Sequence, residues 1–208
     1  MRDRTARAAA MAAVALAMAV INPPLVLAGI ETYDIDKEHT SIAFKIRHFI
    51  SKVPGQFNTF EGLIRLDPED PTKGSVTVTI VAASIDTNEP ARDRHLRSDA
   101  FFDVENHPEI TFVSRSVRST AKDKLAIDGD LTIRGITKRV TLDVDALGFG
   151  EIYGVKRAAF EARTTINRQD FKVSWNDFVE GGGAILGDEV EIVINLEAKL
   201  QKEKPAGD

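Results

Sequence analysis

The sequence predicts an all-β protein whose antiparallel strands form a sandwich or a barrel, and three observations support this fold class. Apolar residues recur at every second position in most segments after residue 40, which is typical of strands with one buried and one solvent-facing side. Turn-forming pairs such as Asp67-Pro68 and Arg134-Gly135 separate these segments at regular intervals. The chain has no cysteine, so its core and its hydrogen-bond ladder must stabilise it without disulfides.

Eight segments show this alternation, and a short strand near Ile30–Ile35 is a candidate ninth. In the first segment, Ile42, Phe44 and Ile46 alternate with an alanine, a lysine and an arginine. In chain order, the eight segments are residues 40–50, 55–67, 74–85, 109–119, 124–135, 139–147, 157–167 and 189–200. Eight regularly spaced strands are typical of a sandwich or a barrel.

Two segments depart from the strand pattern. The first is a short predicted helix, because Pro90 suits a first helical turn, Thr87 or Asn88 can cap it, and ARDRHLRS follows without alternation. The second is the irregular stretch over residues 171–188, which contains Trp175, the only tryptophan. Long loops of this kind are often lids or binding loops.

The first 28 residues have the pattern of a secretory signal peptide. Three arginines in MRDRTAR precede an uncharged run over residues 8–20, and Val26-Leu27-Ala28 presents small residues suited to a cleavage site. An uncleaved membrane anchor is the alternative, but Asn22-Pro23-Pro24 interrupts the apolar run that a spanning helix needs. We therefore expect cleavage, no stable membrane insertion afterwards, and a periplasmic or secreted protein.

Cleavage after Ala28 would leave 180 residues, which fits one domain over residues 29–200 followed by a polar tail over residues 201–208. The leader carries three of the 27 basic residues and one of the 32 acidic residues, so its removal changes the net charge from −5 to −7. A nucleic-acid-binding protein normally has a basic excess or a basic stripe. The acidic balance therefore argues against nucleic acid as a partner.

No sequence motif identifies a catalytic site. The chain contains no GxSxG, HExxH or Walker sequence and no cysteine nucleophile. Many carboxylates alternate with apolar residues on predicted strands, as Asp143, Asp145, Glu191 and Glu197 do, so we interpret them as a solvated outer face. An acid–base pair formed by carboxylates that are distant in sequence stays open as an alternative.

The four histidines do not predict a metal site. His39, His48, His95 and His107 lie on separate predicted elements, whereas zinc and copper sites need several ligands that converge in space. His39 and His48 are nine residues apart, which puts them on opposite faces of a strand. We therefore expect neither a metal nor a cofactor, and we interpret His48, which has inward parity, as a hydrogen-bonded core histidine or as a ligand contact.

The predicted helix is basic and is followed by paired aromatic residues. Arg92, Arg94 and Arg97 fall within six positions, and Phe101 and Phe102 follow shortly after. One interpretation is a surface helix whose arginines pair with carboxylates. The other is the mouth of an apolar cavity, where the aromatic rings form a plug and the arginines face the rim.

Six motifs in order resemble the YceI-like family. The motifs are DxxHTSIAFKIRHF from Asp36, VPGQFNTFEG, RDRHLRSDAFFDVENHPEITFVS, LTIRGITKRVTLDV, INRQDFKVSWN and LGDEVEIVINLEA. The resemblance extends from about Tyr33 to Leu200. One departure is visible, because the family commonly has Gly after the Phe of the NRxDF motif, where this chain has Lys172.

The resemblance implies a secreted or periplasmic protein with a lipocalin-like antiparallel barrel. It also implies an elongated apolar cavity that encloses a long isoprenoid or another lipid-like molecule. Members of the family often pair, which makes a homodimer one possible state, but no exposed apolar stripe in the sequence identifies an interface and the oligomeric state stays open. No catalytic residues carry over from the family. An eight-stranded barrel leaves room for one small ligand, so the physical expectation agrees with the resemblance.

The leading hypothesis is therefore a binding or carrier protein for an isoprenoid or fatty lipid. The predicted ligand-binding residues are Ile42, Phe44, Ile46, His48, Arg92, Arg94, His95, Phe101, Phe102, Phe112, Phe160 and Trp175. One alternative is an enzyme that acts on such a lipid, with His95 or His48 as general base and a carboxylate within hydrogen-bond reach. The other is a stress-related interaction protein whose barrel is filled by side chains.

Overall fold

The computed structural model describes residues 29–178 and 183–202. The predicted signal peptide and residues 203–208 of the predicted tail lie outside the described residues. Within the described ranges, no helix has both the length and the apolar character that crossing a membrane requires.

Strands dominate the described chain, which also contains one α-helix and three 3₁₀ helices. The helix α1 spans Pro90–Arg97, and the 3₁₀ helices span Pro71–Lys73, Ala82–Ser84 and Arg168–Phe171. The strands are β1 (Glu31–Ile35), β2 (Ser41–His48), β3 (Ser51–Phe57), β4 (Phe60–Leu66), β5 (Ser75–Val81), β6 (Ile85–Asp86), β7 (Glu109–Ala121), β8 (Lys124–Ile133), β9 (Ile136–Ile152), β10 (Val155–Asn167) and β11 (Leu186–Leu200).

Eight of the strands close into an antiparallel barrel, so of the two predicted architectures the barrel is confirmed. The ring runs β1-β4-β5-β7-β8-β9-β10-β11, and β1 closes it by pairing with β11, with Tyr33 opposite Leu200. The strand β2 pairs with β11 further along, over residues 186–195. The strands β3 and β6 then extend the sheet from β2 at this end of the barrel.

Several strand boundaries differ from the prediction, and the differences are largest in three segments. The segment predicted over residues 55–67 is divided between β3 and β4, because Asn58 and Thr59 leave the ladder and their backbone N–H groups donate to Ser84. The segment predicted over residues 74–85 is divided by a 3₁₀ helix. The strand β9 is longer than predicted, because its turn into β10 lies at Tyr153-Gly154, where both φ angles are positive.

The N-cap of α1 lies one or two residues after the predicted caps, so the choice of Thr87 or Asn88 is wrong. Glu89 is the N-cap, and its side chain accepts a hydrogen bond from the backbone N–H of Ala91. Thr87 is unavailable because its hydroxyl donates to Asp93 Oδ1 at 2.6 Å. Asn88 has a φ of 59°, and its N–H donates to Asp86. Pro90 occupies the first turn, as predicted.

The core is distributed around the inside of the barrel. The largest cluster lies under α1 and includes Phe101, Phe171 and Ile133. At the opposite end, Tyr33 and Ala198 are fully buried and close the barrel. Between these two ends lie two smaller buried clusters, one around Val144 and one around Ile42.

Candidate functional site

An elongated cavity of about 570 Å³ occupies the barrel between its two ends. All eight strands of the ring contribute to its wall, which is almost entirely apolar, and β2, β3 and α1 complete it. Packed protein interiors contain few voids larger than a water molecule. The alternative of a barrel filled by side chains is therefore wrong for this structure.

The cavity opens beside α1. Several residues that line it are also exposed to solvent at this end, namely His48, Arg92, His95 and Trp175. At the far end, the paired residues Arg65 and Ser75 also line the cavity and are exposed. Arg65 alternates along β4 with the buried Ile64 and Leu66, so its side chain points outward. We call the opening beside α1 the mouth.

The deep half of the cavity is purely apolar. Val117, Leu125, Val144 and Ala162 form a buried cluster on four different segments of the wall, and all of them line the cavity. Small and branched side chains at these positions leave space between the facing walls. This half can accept a hydrocarbon chain and offers no polar partner to a head group.

Aromatic rings surround the mouth. The ring of His95 lies edge-on to both Phe101 and Trp175, with centroid distances of 5.0 Å in each case. The rings of Phe101 and Trp175 are 5.2 Å apart, and Phe102 packs edge-on against Phe57 at 5.9 Å. These distances are within the range of favourable aromatic pairs. The aromatic residues predicted as a plug therefore lie together at the opening, and their role as a plug stays a prediction.

Two of the three arginines of α1 bind backbone carbonyl oxygens and none pairs with a described carboxylate, so the interpretation of a salt-bridged surface helix is wrong. Arg92 donates to the hydroxyl and the carbonyl oxygen of Thr87 at 2.7 and 2.8 Å. Arg97 donates to the carbonyl oxygens of Ala83 and Ile85, both at 2.7 Å. None of the arginines on α1 forms an ion pair with a carboxylate in residues 29–178 or 183–202. Arg94 is exposed and lies outside the cavity wall, unlike the rim position predicted for it.

A buried arginine that sequence reasoning missed holds the Trp175 segment at the mouth. Arg168 is only 3% exposed, and its guanidinium donates to the carbonyl oxygens of Val173, Trp175 and Gly187. Its burial lowers the pKa of Arg168 below its usual value, although Asp188 partly opposes this shift. Arg168 belongs to the NRxDF motif, which was recognised in the sequence. The motif does not predict which carbonyl oxygens the arginine binds.

Two further residues from the family-like motifs, Asn176 and Arg134, also hold the segment around Trp175 in place. The side chain of Asn176 pairs with both backbone groups of Leu186, at 2.9 Å each. Arg134 donates to the carbonyl oxygens of Phe101 and Lys172. Lys172 itself has φ 56° and ψ 25°, the left-handed conformation that favours glycine. This conformation explains why the related proteins commonly have Gly here.

Eleven of the twelve predicted ligand-binding residues line the one cavity, and Arg94 does not. Their role in binding a ligand stays a prediction. Of the residues around the deep half, Phe160 was predicted individually, whereas Val117, Leu125, Val144 and Ala162 were not, although they share the inward parity of their strands. The alternation pattern alone could not show whether these side chains line a cavity or fill a core.

His48 and His95 both lie at the mouth of the cavity. His48 is exposed at the mouth, so the interpretation as a buried core histidine is wrong. Among the described residues, neither His48 nor His95 has a carboxylate within hydrogen-bond reach of its ring. The arrangement expected of a general base is therefore not found in that part of the chain.

His39 belongs to a polar cluster at the far end of the barrel, which we call the clamp and which consists of Asp36, His39, Arg157, Glu197 and Lys199. Its Nδ1 lies 2.9 Å from Asp36, and Glu197 is close enough for the three groups to share a cation. However, Arg157 and Lys199 donate to the same Asp36 oxygen at 2.7 and 2.8 Å. These two cations occupy the position that a metal ion would need.

The clamp explains the DxxHTS motif in structural terms. Burial alone would raise the pKa of Asp36, but hydrogen bonds from Lys199, Arg157 and His39 outweigh burial and hold the pKa well below its usual range. The hydroxyl of Thr40 exchanges hydrogen bonds with the backbone of Glu197. The motif therefore fastens the passage from β1 to β2 onto β11.

The carboxylates predicted for the outer face are found there. Asp145 pairs with Lys124, Glu191 pairs with Lys52 and Glu197 pairs with Arg157. Asp143 is exposed, whereas its neighbour Val144 is buried. The polar side of β9 and β11 therefore points away from the cavity.

Comparisons with known proteins agree with this architecture. The family model of the YceI-like domain matches residues 33–198. Protein YceI of Salmonella arizonae is 41% identical over 174 residues, which cover 82% of this chain and 87% of that protein.

Solved structures show the same barrel. A Campylobacter jejuni YCEI protein is 29% identical, covers 74% of this chain and 88% of its own, and has a TM-score of 0.66. A polyisoprenoid binding domain from Saccharophagus degradans, implicated in plant cell wall breakdown, is 13% identical with a TM-score of 0.60, and the match covers 81% of this chain and 98% of that one. At this low identity the second match concerns the fold alone. The motifs, the barrel and the family match together establish that this chain belongs to the YceI-like family.

Proposed function

We propose that this protein is a periplasmic carrier that holds one isoprenoid, or another long amphiphilic lipid, inside its barrel. The observation that carries the proposal is the apolar cavity of about 570 Å³ with a polar mouth beside α1. The lipid tail occupies the deep half, and its head group stays at the mouth beside α1. A solved structure of the same fold is a polyisoprenoid binding domain, which supports this class of ligand.

The size of the cavity suits a tail of roughly 20 carbons. A cavity of about 150 Å³ accommodates benzene, so about 570 Å³ has room for roughly four times as many carbon atoms. Burial contributes about 0.8 kcal/mol per methylene, or about 16 kcal/mol for such a tail. Association costs roughly 4–15 kcal/mol. Tail burial therefore suffices for binding, and the head group mainly sets the orientation.

The mouth favours an anionic head group. Arg92 lines the cavity, and its two hydrogen bonds to Thr87 hold its guanidinium in place. His48 and His95 also reach the opening. Charge-assisted hydrogen bonds from arginine are well suited to phosphate and carboxylate.

The first test is to identify the ligand of the native protein. The mature protein would be purified from its own cells under mild conditions, extracted with organic solvent and analysed by mass spectrometry. We expect a stoichiometric isoprenoid or fatty species. An empty extract, together with no uptake of added lipids by the purified protein, would contradict the carrier function.

The periplasmic location rests on the pattern of residues 1–28 and needs its own test. We expect the protein in the periplasmic fraction of its cells, with an N-terminus that begins at Gly29. Recovery in the membrane fraction with Met1 intact would favour the uncleaved anchor instead.

A further inference from the structure

Two groups of exposed large apolar side chains lie at opposite ends of the described barrel, and other such residues, among them Ile30, Leu63, Val81 and Val113, belong to neither group. The mouth patch is defined as Phe49, Ile50 and Phe178, which are 54%, 88% and 64% exposed. The hairpin patch lies at the far end, where the β9–β10 turn extends beyond β8 and β11. Its exposed residues are Leu147, Phe149, Ile152 and Tyr153.

Backbone hydrogen bonds bring the mouth patch together from two segments of the chain. The N–H of Phe49 donates to the carbonyl oxygen of Ile185 at 2.7 Å, and the N–H of Ile185 donates to that of Asp177 at 2.9 Å. Phe178 also forms a β-bridge with Ala184. The turn between β2 and β3 therefore lies next to the Phe178 segment through a shared neighbour.

The mouth patch is continuous with the cavity. His48 and Trp175 line the cavity, and they precede Phe49 and Phe178 by one and three residues. Trp175 is 37% exposed, with its indole at the boundary between the apolar interior and solvent. Apolar surface thus extends from the cavity wall to the outside at this end.

A cation accompanies the mouth patch. Arg47 is exposed and donates to the carbonyl oxygens of Phe49 and Ala184 at 3.0 and 3.4 Å, which places its guanidinium beside the patch. The nearby carboxylate of Asp177 accepts a hydrogen bond from the N–H of Phe178. A tryptophan, apolar side chains and an arginine in one place are the combination that favours the interface of a phospholipid bilayer.

We infer that the mouth patch inserts into the surface of a lipid bilayer, so that the cavity opens onto the apolar phase and exchanges its ligand there. This inference rests on the proposed carrier function. A long tail that passed through water would lose all of its burial during the transfer. Contact between the mouth and the bilayer removes that barrier, because the tail moves from one apolar environment to the other.

The chain offers a matched pair of variants for the test. Phe49 and Tyr153 both lie in hairpin turns with a φ of 53°, a conformation that asparagine tolerates well. The mouth variant is Phe49→Asn with Ile50→Ser, and the control is Ile152→Ser with Tyr153→Asn. Each pair removes two exposed apolar side chains from a turn, and none of the four residues lines the cavity.

Two measurements on the full mature protein test the inference. The first is co-sedimentation with vesicles of phosphatidylcholine and phosphatidylglycerol. The second is the rate at which the protein extracts farnesyl phosphate from those vesicles. Burial of one large apolar side chain changes a partition coefficient by at least tenfold. We expect the mouth variant to bind vesicles about 100-fold more weakly and to extract the lipid more slowly, while the control matches the unmodified protein.

A third measurement separates this inference from the proposed function. Geranyl phosphate binding in vesicle-free solution tests the cavity alone, and we expect the unmodified protein and both variants to bind it equally. If the unmodified protein does not bind this probe, the carrier function fails. If the unmodified protein binds the probe but does not bind vesicles, membrane docking through the mouth patch is overturned. The same conclusion follows if the mouth variant binds vesicles as tightly as the unmodified protein does. An equal loss in the control variant would also overturn the inference.

Discussion

Replacement of Ala162 by phenylalanine should shorten the longest lipid tail that the barrel accepts. Ala162 lies on β10 in the deep half of the cavity and is 8% exposed. The substitution adds a six-carbon ring, which by comparison with a benzene-sized cavity fills about 150 Å³, or roughly a quarter of the available 570 Å³. About six methylenes of a cavity-filling tail are then displaced.

The magnitude follows from the displaced methylenes. At about 0.8 kcal/mol each, a tail that fills the cavity loses about 5 kcal/mol of binding free energy, or roughly 3,000-fold in Kd. A tail that is short enough to fit the remaining space loses nothing. The variant should therefore change the dependence of affinity on tail length and leave the affinity for the shortest ligands unchanged.

The assay uses the single tryptophan of the chain. Trp175 lies at the mouth, so its fluorescence should report the binding of geranyl, farnesyl and geranylgeranyl phosphates. The matched control is Arg163→Phe, because the neighbouring side chain is 61% exposed and points outward. Thermal unfolding of both variants checks that each is folded.

Two results would refute this reasoning. If a folded Ala162→Phe protein bound geranylgeranyl phosphate as tightly as the unmodified protein, the tail would not reach the deep half of the cavity. If all three ligands lost affinity equally, the substitution would act at the mouth or on the whole barrel.

Three further predictions concern the polar groups. Arg92→Ala should weaken farnesyl phosphate binding by about tenfold or more, since a hydrogen bond to a charged group contributes roughly 1.5–3 kcal/mol, but should leave farnesol binding unchanged. The control Arg94→Ala should change the affinity for neither ligand. Fluorescence titration of both variants with both ligands checks this prediction. Asp36→Asn should cost about 3 kcal/mol of unfolding free energy at pH 7. Because the pKa of Asp36 is lowered by folding, its contribution is complete above about pH 4 and declines as the pH falls further, so urea unfolding should show the two proteins converging in acid. Lys172→Gly should raise the unfolding free energy by about 1 kcal/mol by removing left-handed strain, or roughly 3 °C in Tm; an unchanged or lower Tm would contradict this account.

Much of the fold could be read from the sequence because strand alternation is a local property. An inward-pointing residue can be recognised because the residues two positions before and after it are also apolar, as Ile42, Phe44 and Ile46 are on β2. The helix was predictable from Pro90, because proline suits a first helical turn wherever that turn lies in the fold. Motif order was likewise enough to identify the family that the comparisons confirm.

Long-range pairing was not predictable in this way. The barrel closes where Tyr33 meets Leu200, across nearly the whole domain, and no local pattern specifies that partner. The same limit applies to Arg168 and Asp36. Their motifs were visible, but the carbonyl oxygens and cations that they bind come from distant segments.

The cavity itself belongs to the tertiary structure alone. Alternation states that Ala162 and Val144 point inward, but it does not state whether the facing walls touch. That outcome depends on the radius of the closed ring and on the volumes of side chains from eight strands together. Arg94 illustrates the same point at the mouth, because only the packing of α1 onto the barrel decides which of its arginines reaches the opening.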